Sequence, residues 1–202
     1  MPTGVAIRDV REQLFGAAER VLLRAGPNAL TSRAVTTEAG CAKGVLHKHF
    51  ADFDAFLAEF VLDRIARLDE RTAALRDAAG TGTVADNLTA AVTGLFASAA
   101  LALVGLIAAR DELRARLRRD LPAGVPVLTD AAELIAVYLA AERDLGRVTA
   151  GADVDTLAAM LIGTAHLRYA GHGDAPLAPD TVRRIVTAVM ATTTTASPPP
   201  IR

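Results

Sequence analysis

The sequence predicts an all-α protein of about nine helices: an N-terminal three-helix domain, then a C-terminal helical bundle. Three observations predict it. Apolar residues recur at three- and four-residue spacing through most of the chain. No stretch shows strand-like alternation, and no 20–50-residue repeat occurs. The helical segments are bounded by capping residues, Gly and Pro at local intervals.

The first helix is predicted over 7–25, with Ile7, Val10, Leu14, Ala17, Ala18, Val21 and Leu22 on its apolar face, and Gly26-Pro27-Asn28 ends it. Thr31 is placed to cap a second helix, about 32–39, with Val35 and Ala39 facing inward. Gly40 supplies the positive φ of a tight turn, with Cys41 packed beside it. A third helix, about 42–49, buries Leu46 and leads to Phe50. Asp52 caps a long fourth helix, about 53–79, with Phe56, Leu57, Phe60, Ile65, Leu68 and Leu75 as its stripe. Gly80-Thr81-Gly82 breaks the chain. A fifth helix runs from Thr83 to about Ala100, opened by a Thr83/Asp86 pair, and a sixth from Leu101 to Arg119. Pro122 to Pro126 forms a loop before a seventh helix, Val127 to Leu145. Asp153 caps an eighth over 154–170, and Pro179 opens a ninth over 179–190. Gly171-His172-Gly173 and Pro176 lie in the loop between them.

The expected domains are 1–52, a helix-turn-helix, and 53–195, with the 53–79 helix linking the two; a low-complexity tail at 196–202 is expected to be disordered. Charge divides along the chain. Residues 1–50 hold seven Lys/Arg against four acids, a net of +3, while the other 15 basic and 19 acidic residues give −4. Both lysines, Lys43 and Lys48, fall in the third helix. A basic head on an acidic body suits a polyanion bound at one end. The basic run RARLRRD at the end of the sixth helix reads as a solvated last turn complementing the helix dipole.

A recognition helix must be thin, positively biased and offered N-terminus first to a major groove. Ala42, Gly44 and Val45 are small; Lys43, His47, Lys48 and His49 are donors. Lys43 can reach a guanine edge or a phosphate, and Val45 a thymine methyl. Thr31, Ser32 and Arg33 can donate to phosphate from the start of the second helix. Double-stranded DNA is therefore the expected partner.

The pattern resembles the TetR family of transcriptional repressors. The matching residues are a first helix ending in Ala25-Gly26, then Leu30-Thr31, Glu38-Ala39-Gly40, and Lys43 through Phe50, followed by an acidic cap and Phe56-Leu57. The resemblance covers about residues 8–60 by motif. Two positions depart from the family: His47 stands where it has Tyr, and Phe53 where it has Lys, both phosphate contacts. The resemblance implies a repressor released from a palindromic operator by a small-molecule effector, with the chain beyond Thr83 binding that ligand and dimerising. It implies a ligand pocket among the fourth to eighth helices, with walls from Leu95, Phe96, Leu103, Ile107, Leu134, Tyr138 and Leu161. Glu133 and Glu142 could receive a cationic ligand. It implies a homodimer through helices 154–170 and 179–190. Leu157, Leu161, Thr164 and Arg168 lie along one side of the first of these, with Ala158, Gly163 and Ala165 small. Val182, Ile185, Val186 and Val189 lie on the second; these stripes suit either a two-fold interface or packing within one subunit.

Other chemistry is weakly represented. One cysteine excludes an internal disulfide and a Cys-pair zinc site. His166 and His172 fall on different faces, as do His47 and His49, so no metal is expected. Cys41 near His47 lacks a third orienting group, and no phosphate-cradling Gly loop occurs. No cofactor and no enzymatic activity are expected; the alternative class is a helical small-molecule carrier or enzyme keeping a vestigial helix-turn-helix. The N-terminus lacks a long apolar run, so a cytoplasmic protein is expected rather than a secreted one. Leu88–Ala109 carries no charge over 22 residues, but eight are Ala and only nine are Leu, Ile, Val or Phe, so buried helices are expected rather than a membrane span.

Overall fold

The computed structural model describes residues 4–96, 100–121, 124–171 and 177–191. The expected tail at 196–202, and Pro122, His172, Gly173 and Pro176 of the expected loops, lie outside them. Among the described residues every regular element is helical: α1 Gly4–Ala25, a 3-10 turn Pro27–Ala29, α2 Ser32–Glu38, α3 Gly44–His49, α4 Phe53–Asp77, α5 Val84–Phe96, α6 Ala100–Ala108, α7 Asp111–Asp120, α8 Leu128–Asp144, α9 Val154–Ala170 and α10 Pro179–Met190. The all-α expectation holds, with one helix more than foreseen.

The extra helix comes from a break in the predicted 101–119 segment. Arg110 is extended, with φ −133° and ψ 104°, and Asp111 and Glu112 open α7. Acids in a first turn favour starting a helix there. Arg110 itself is held by the Leu30 carbonyl, 80 residues away, which it reaches at 2.6 Å. Several local signals are confirmed. Thr31 accepts from the Ala34 amide at 3.1 Å, Asp52 from Ala55 at 2.7 Å and Asp153 from Thr156 at 3.1 Å. Thr83 and Asp86 cap each other as expected, at 2.7 and 3.0 Å. The described residues of the uncharged 88–109 run fall in α5 and α6, apart from Ala109, and no single helix among the described residues is long and apolar enough to cross a membrane.

The chain divides into two compact units. The first comprises residues 1–66 and 99–127. Its core is aromatic: five of the six phenylalanines of the chain meet here. Phe15 touches Phe50, Phe56 and Phe60 at ring distances of 5.9, 5.7 and 5.9 Å, and Phe50 meets Phe56 edge-on at 5.0 Å. Leu14, Leu22, Leu30, Leu46, Leu106 and Leu113 are buried in the same unit, all 0–1% exposed. Burying each such side chain contributes about 1.5–3 kcal/mol. One backbone strain stands out. Val127 is buried and adopts φ 73°, a left-handed conformation that costs a β-branched residue about 1–3 kcal/mol.

The second unit comprises residues 67–98 and 128–202. Here α8 packs on α9, and α10 packs on both α5 and α9. Val182, Ile185, Val186 and Val189 are only 0–8% exposed, and Leu157 and Leu161 are buried too. The apolar members of these stripes therefore pack within the protomer, whereas Thr164 and Arg168 of the α9 stripe are exposed. The outward side of α9 and α10 is different: Met160 is 42% and Leu167 74% exposed, with Ala159, Gly163, Thr164 and Ala188 also exposed.

A buried polar cluster ties this unit together. Glu142 is fully buried and so does not face solvent, whereas Glu133 is exposed. Arg147 pairs with Glu142 at 3.3 Å and donates to the carbonyls of Thr81 and Gly82. The Gly80 amide donates to Glu142 at 3.3 Å, and Asn87 donates to the Tyr138 hydroxyl at 3.0 Å. Burial, then the hydrogen bond to Glu142, pushes the Tyr138 phenol up to about 12. Removing one partner of such a pair strands the other charge. Glu142→Ala should therefore destabilise the fold by about 3–5 kcal/mol in a urea titration; an unchanged midpoint would contradict this role.

Candidate nucleic-acid interface

Local chemistry shapes the segment Thr31–Phe50. Thr31 is extended at φ −128° and ψ 158°, and its hydroxyl caps α2. Gly40 takes φ 66°, and the Cys41 amide bonds to the Thr36 carbonyl at 3.0 Å, turning the chain. Lys43 is the N-cap of α3, so the helix begins at Gly44, two residues later than expected.

Three tethers fix this segment to α1. Gln13 donates to the Ala39 carbonyl at 2.7 Å. Arg20 and Arg24 both pair with Glu38 at 2.8 Å. Arg11 lies over the Phe50 ring at 4.5 Å, donates to the His49 carbonyl at 3.4 Å and pairs with Glu59. Glu38 is the sole acid between Thr31 and Phe50. Arg24 first and Arg20 second hold its carboxyl below the usual range. Its negative charge is thus answered on the α1 side, away from the lysines.

The two faces of α3 differ sharply. Leu46 is fully buried and Phe50 is 4% exposed. Ala42, Lys43, Gly44, His47 and Lys48 are exposed, and Val45 and His49 are half-buried. Among the described residues neither Lys43 nor Lys48 has an ion-pair partner. Arg33 and Thr31 are exposed at the start of α2. Ser32 is placed differently: its Oγ is enclosed and has no hydrogen-bond partner among the described residues.

Phe53 is half-buried, stacked on Phe56 at 5.7 Å with an interplanar angle of 19°. Arg110 covers its ring at 5.5 Å. The aromatic side chain standing at the family's lysine position is thus part of the core rim. Beyond the motif, Arg110 and Arg116 tie the segment at both ends. Arg110 donates to Leu30, directly before Thr31, and lies 3.8 Å from Asp54. Arg116 pairs with Asp52 at 2.7 Å. The run 114–120 that holds Arg116 reads in sequence only as a solvated turn, and Arg110 lies outside it; no local signal reveals partners 64 and 80 residues away.

The expected ligand-pocket residues are divided between the two units. Leu95, Phe96, Leu134, Tyr138 and Leu161 belong to the second unit, Leu103 and Ile107 to the first. All are buried except Leu134, which is half-buried. Phe96 packs against Tyr169, and Ile107 lines a cavity described below.

Residues 14–60 match the family of bacterial regulatory proteins of the tetR type. No curated protein sequence matches the chain. Among solved structures, the reduced form of NemR from E. coli superposes with a TM-score of 0.71 at 17% identity, over 93% of this chain and 100% of that one. A transcriptional regulator from Rhodococcus sp. Rha1 gives 0.66 at 22% identity, covering 91% and 95%. FadR from Bacillus subtilis in complex with stearoyl-CoA gives 0.64 at 17%, covering 89% and 97%. At these identities the likeness is one of fold.

Asp52 gives a pH test of the segment's anchorage. The Ala55 amide first, and Arg116 second, hold its carboxyl below the ordinary value of 3.8. A depressed folded pKa contributes stability that is complete above the ordinary value and lost as pH falls through the folded one. Lowering the pH from about 5 to about 3 should raise hydrogen exchange at the Ala55 amide beyond the intrinsic change. Asp52→Asn should exchange faster already at about pH 5 and show a flatter pH response; parallel profiles for the two proteins would contradict it.

Proposed function

Residues 14–60 place the N-terminal domain of this chain in the tetR family of bacterial regulatory proteins, and from that premise we propose a DNA-binding transcriptional regulator, a repressor released from its operator by a small molecule. The observation that supports it best is the division of α3: one face locked into the aromatic core, the other offering Lys43 and Lys48. In this reading residues 1–52 bind DNA, residues 53–195 bind the effector and dimerise, and the protein works in the cytoplasm. Lys43 at the N-cap of α3, and His47 and Lys48 within it, contact DNA, with Val45 and His49 at the edge of the contact. Arg33 and the first amides of α2 hold the backbone. His47 is an exposed donor on α3.

A palindromic operator needs two recognition helices about 34 Å apart. We assign the two-fold contact to the outward side of α9 and α10, where Met160 and Leu167 stand among small residues that let helices approach closely. An effector releases DNA only if it binds the two states differently. The stearoyl-CoA complex of B. subtilis FadR, which shares the fold, supports a ligand-responsive reading.

Lys43→Ala should weaken operator binding about tenfold or more, and Lys48→Ala should lower the salt-dependence slope by about one, in gel-shift titrations; unchanged affinity in both would sink the interface. Leu167→Glu should convert the dimer to a monomer in sedimentation equilibrium with helicity retained; a persisting dimer would place the contact elsewhere.

A further inference from the structure

Where α6 ends and α7 folds back, the first unit holds a cavity of about 220 Å³. Val104, Ile107, Leu117 and Leu121 make its wall apolar. Among the described residues its charged lining is Arg114 and Arg118, and no lining residue among them is acidic. Arg114 is steadied by the Ala108 carbonyl at 2.9 Å and by Asp111. Arg118 is exposed and has no ion-pair partner among the described residues.

This combination selects a chemical class. An apolar chamber rejects sugars and polyanions, whose polar groups would lose water without replacement. A guanidinium at its rim favours a planar carboxylate, which it can bind through two parallel hydrogen bonds. The volume lies below the roughly 300–1,000 Å³ of drug-sized sites, so the occupant is small. α7 is also the wall shared with the DNA-binding segment. Leu117 and Arg118 face the cavity, while Arg116 holds Asp52, the cap of α4, at 2.7 Å. Arg110, at the N-cap of α7, holds the Leu30 carbonyl at the entrance to α2. On the far side, the cavity-lining Pro126 is followed by Val127 in its strained left-handed conformation, so the loop is not at its own conformational minimum.

We propose that this cavity binds a medium-chain aliphatic carboxylate, its chain against Ile107 and Leu117 and its carboxylate on Arg118 and Arg114. Occupancy shifts α7 and is passed through Arg110 and Arg116 to the starts of α2 and α4. The inference deepens, and rests on, the effector-responsive reading above.

Isothermal calorimetry on the full chain with octanoate, and with octanamide as its neutral counterpart, tests the site without DNA. One octanoate should bind per chain. Octanamide, and octanoate with Arg118→Gln, should bind about tenfold more weakly or worse, as loss of a charge-assisted bond implies. Ala108→Trp, which fills the cavity from an exposed position, should abolish binding with the melting curve retained. Arg119→Gln, outside the lining, should leave it unchanged. Octanoate should also alter hydrogen exchange at the Ala34 and Ala55 amides. No binding up to about 1 mM, the weakest affinity worth calling specific here, or equal binding of octanamide, or an unaffected Arg118→Gln, overturns the site. Binding with unaltered exchange at Ala34 and Ala55 overturns the transmission. Failure to bind DNA would count against the regulator reading alone, since no arm of this test contains DNA.

Discussion

The exposed face of α3 exists because its other face is fixed by the aromatic cluster under Phe50. A helix of six residues has no stability of its own in water. What holds it is Leu46 and Phe50 packed into the Phe15, Phe56 and Phe60 core, with Arg11 laid over the Phe50 ring. Every other feature of the segment depends on that anchorage. Gly40 can turn the chain tightly because both flanking helices are held, and Glu38 is drawn toward α1 by two arginines rather than toward the lysines. The result is a short basic surface whose shape is set from behind.

Much of this is legible in the residues, because the informative interactions are local. Caps at Thr31, Asp52 and Asp153 reach three residues ahead, so sequence spacing reveals them. The turn glycine and the Leu46/Phe50 pair follow from the same short-range logic. Spacing is silent about partners far along the chain. Arg110 breaks the predicted sixth helix where it meets a carbonyl 80 residues earlier, and Arg116 serves the cap of another helix. Phe15 is missed for a related reason: it lies beside the stripe that defines the buried face of α1, and its role as hub appears only when α1, the end of α3 and α4 converge.

The second unit shows the same limit from the opposite direction. The apolar members of the stripes on α9 and α10 are buried, whereas Thr164 and Arg168 are exposed, and periodicity does not say against what the apolar ones pack. Val182, Val186 and Leu161 are consumed inside the protomer. The surface left over is marked instead by Leu167 and Met160, which break the expected pattern by being exposed. Glu142 is a similar case. A carboxylate near a helix end ordinarily faces water, yet here Arg147 and the Gly80 amide draw it inside, closing the turn between α4 and α5 onto the end of α8.

The central claim is that α3 reads DNA from a two-fold assembly. Selection of bound fragments from random-sequence DNA by the full chain tests it most directly. The account predicts enrichment of an inverted repeat whose half-sites are spaced to place two recognition helices in successive major grooves, about 34 Å apart. Recovery of fragments with no shared sequence, or no retention at low salt, would contradict it.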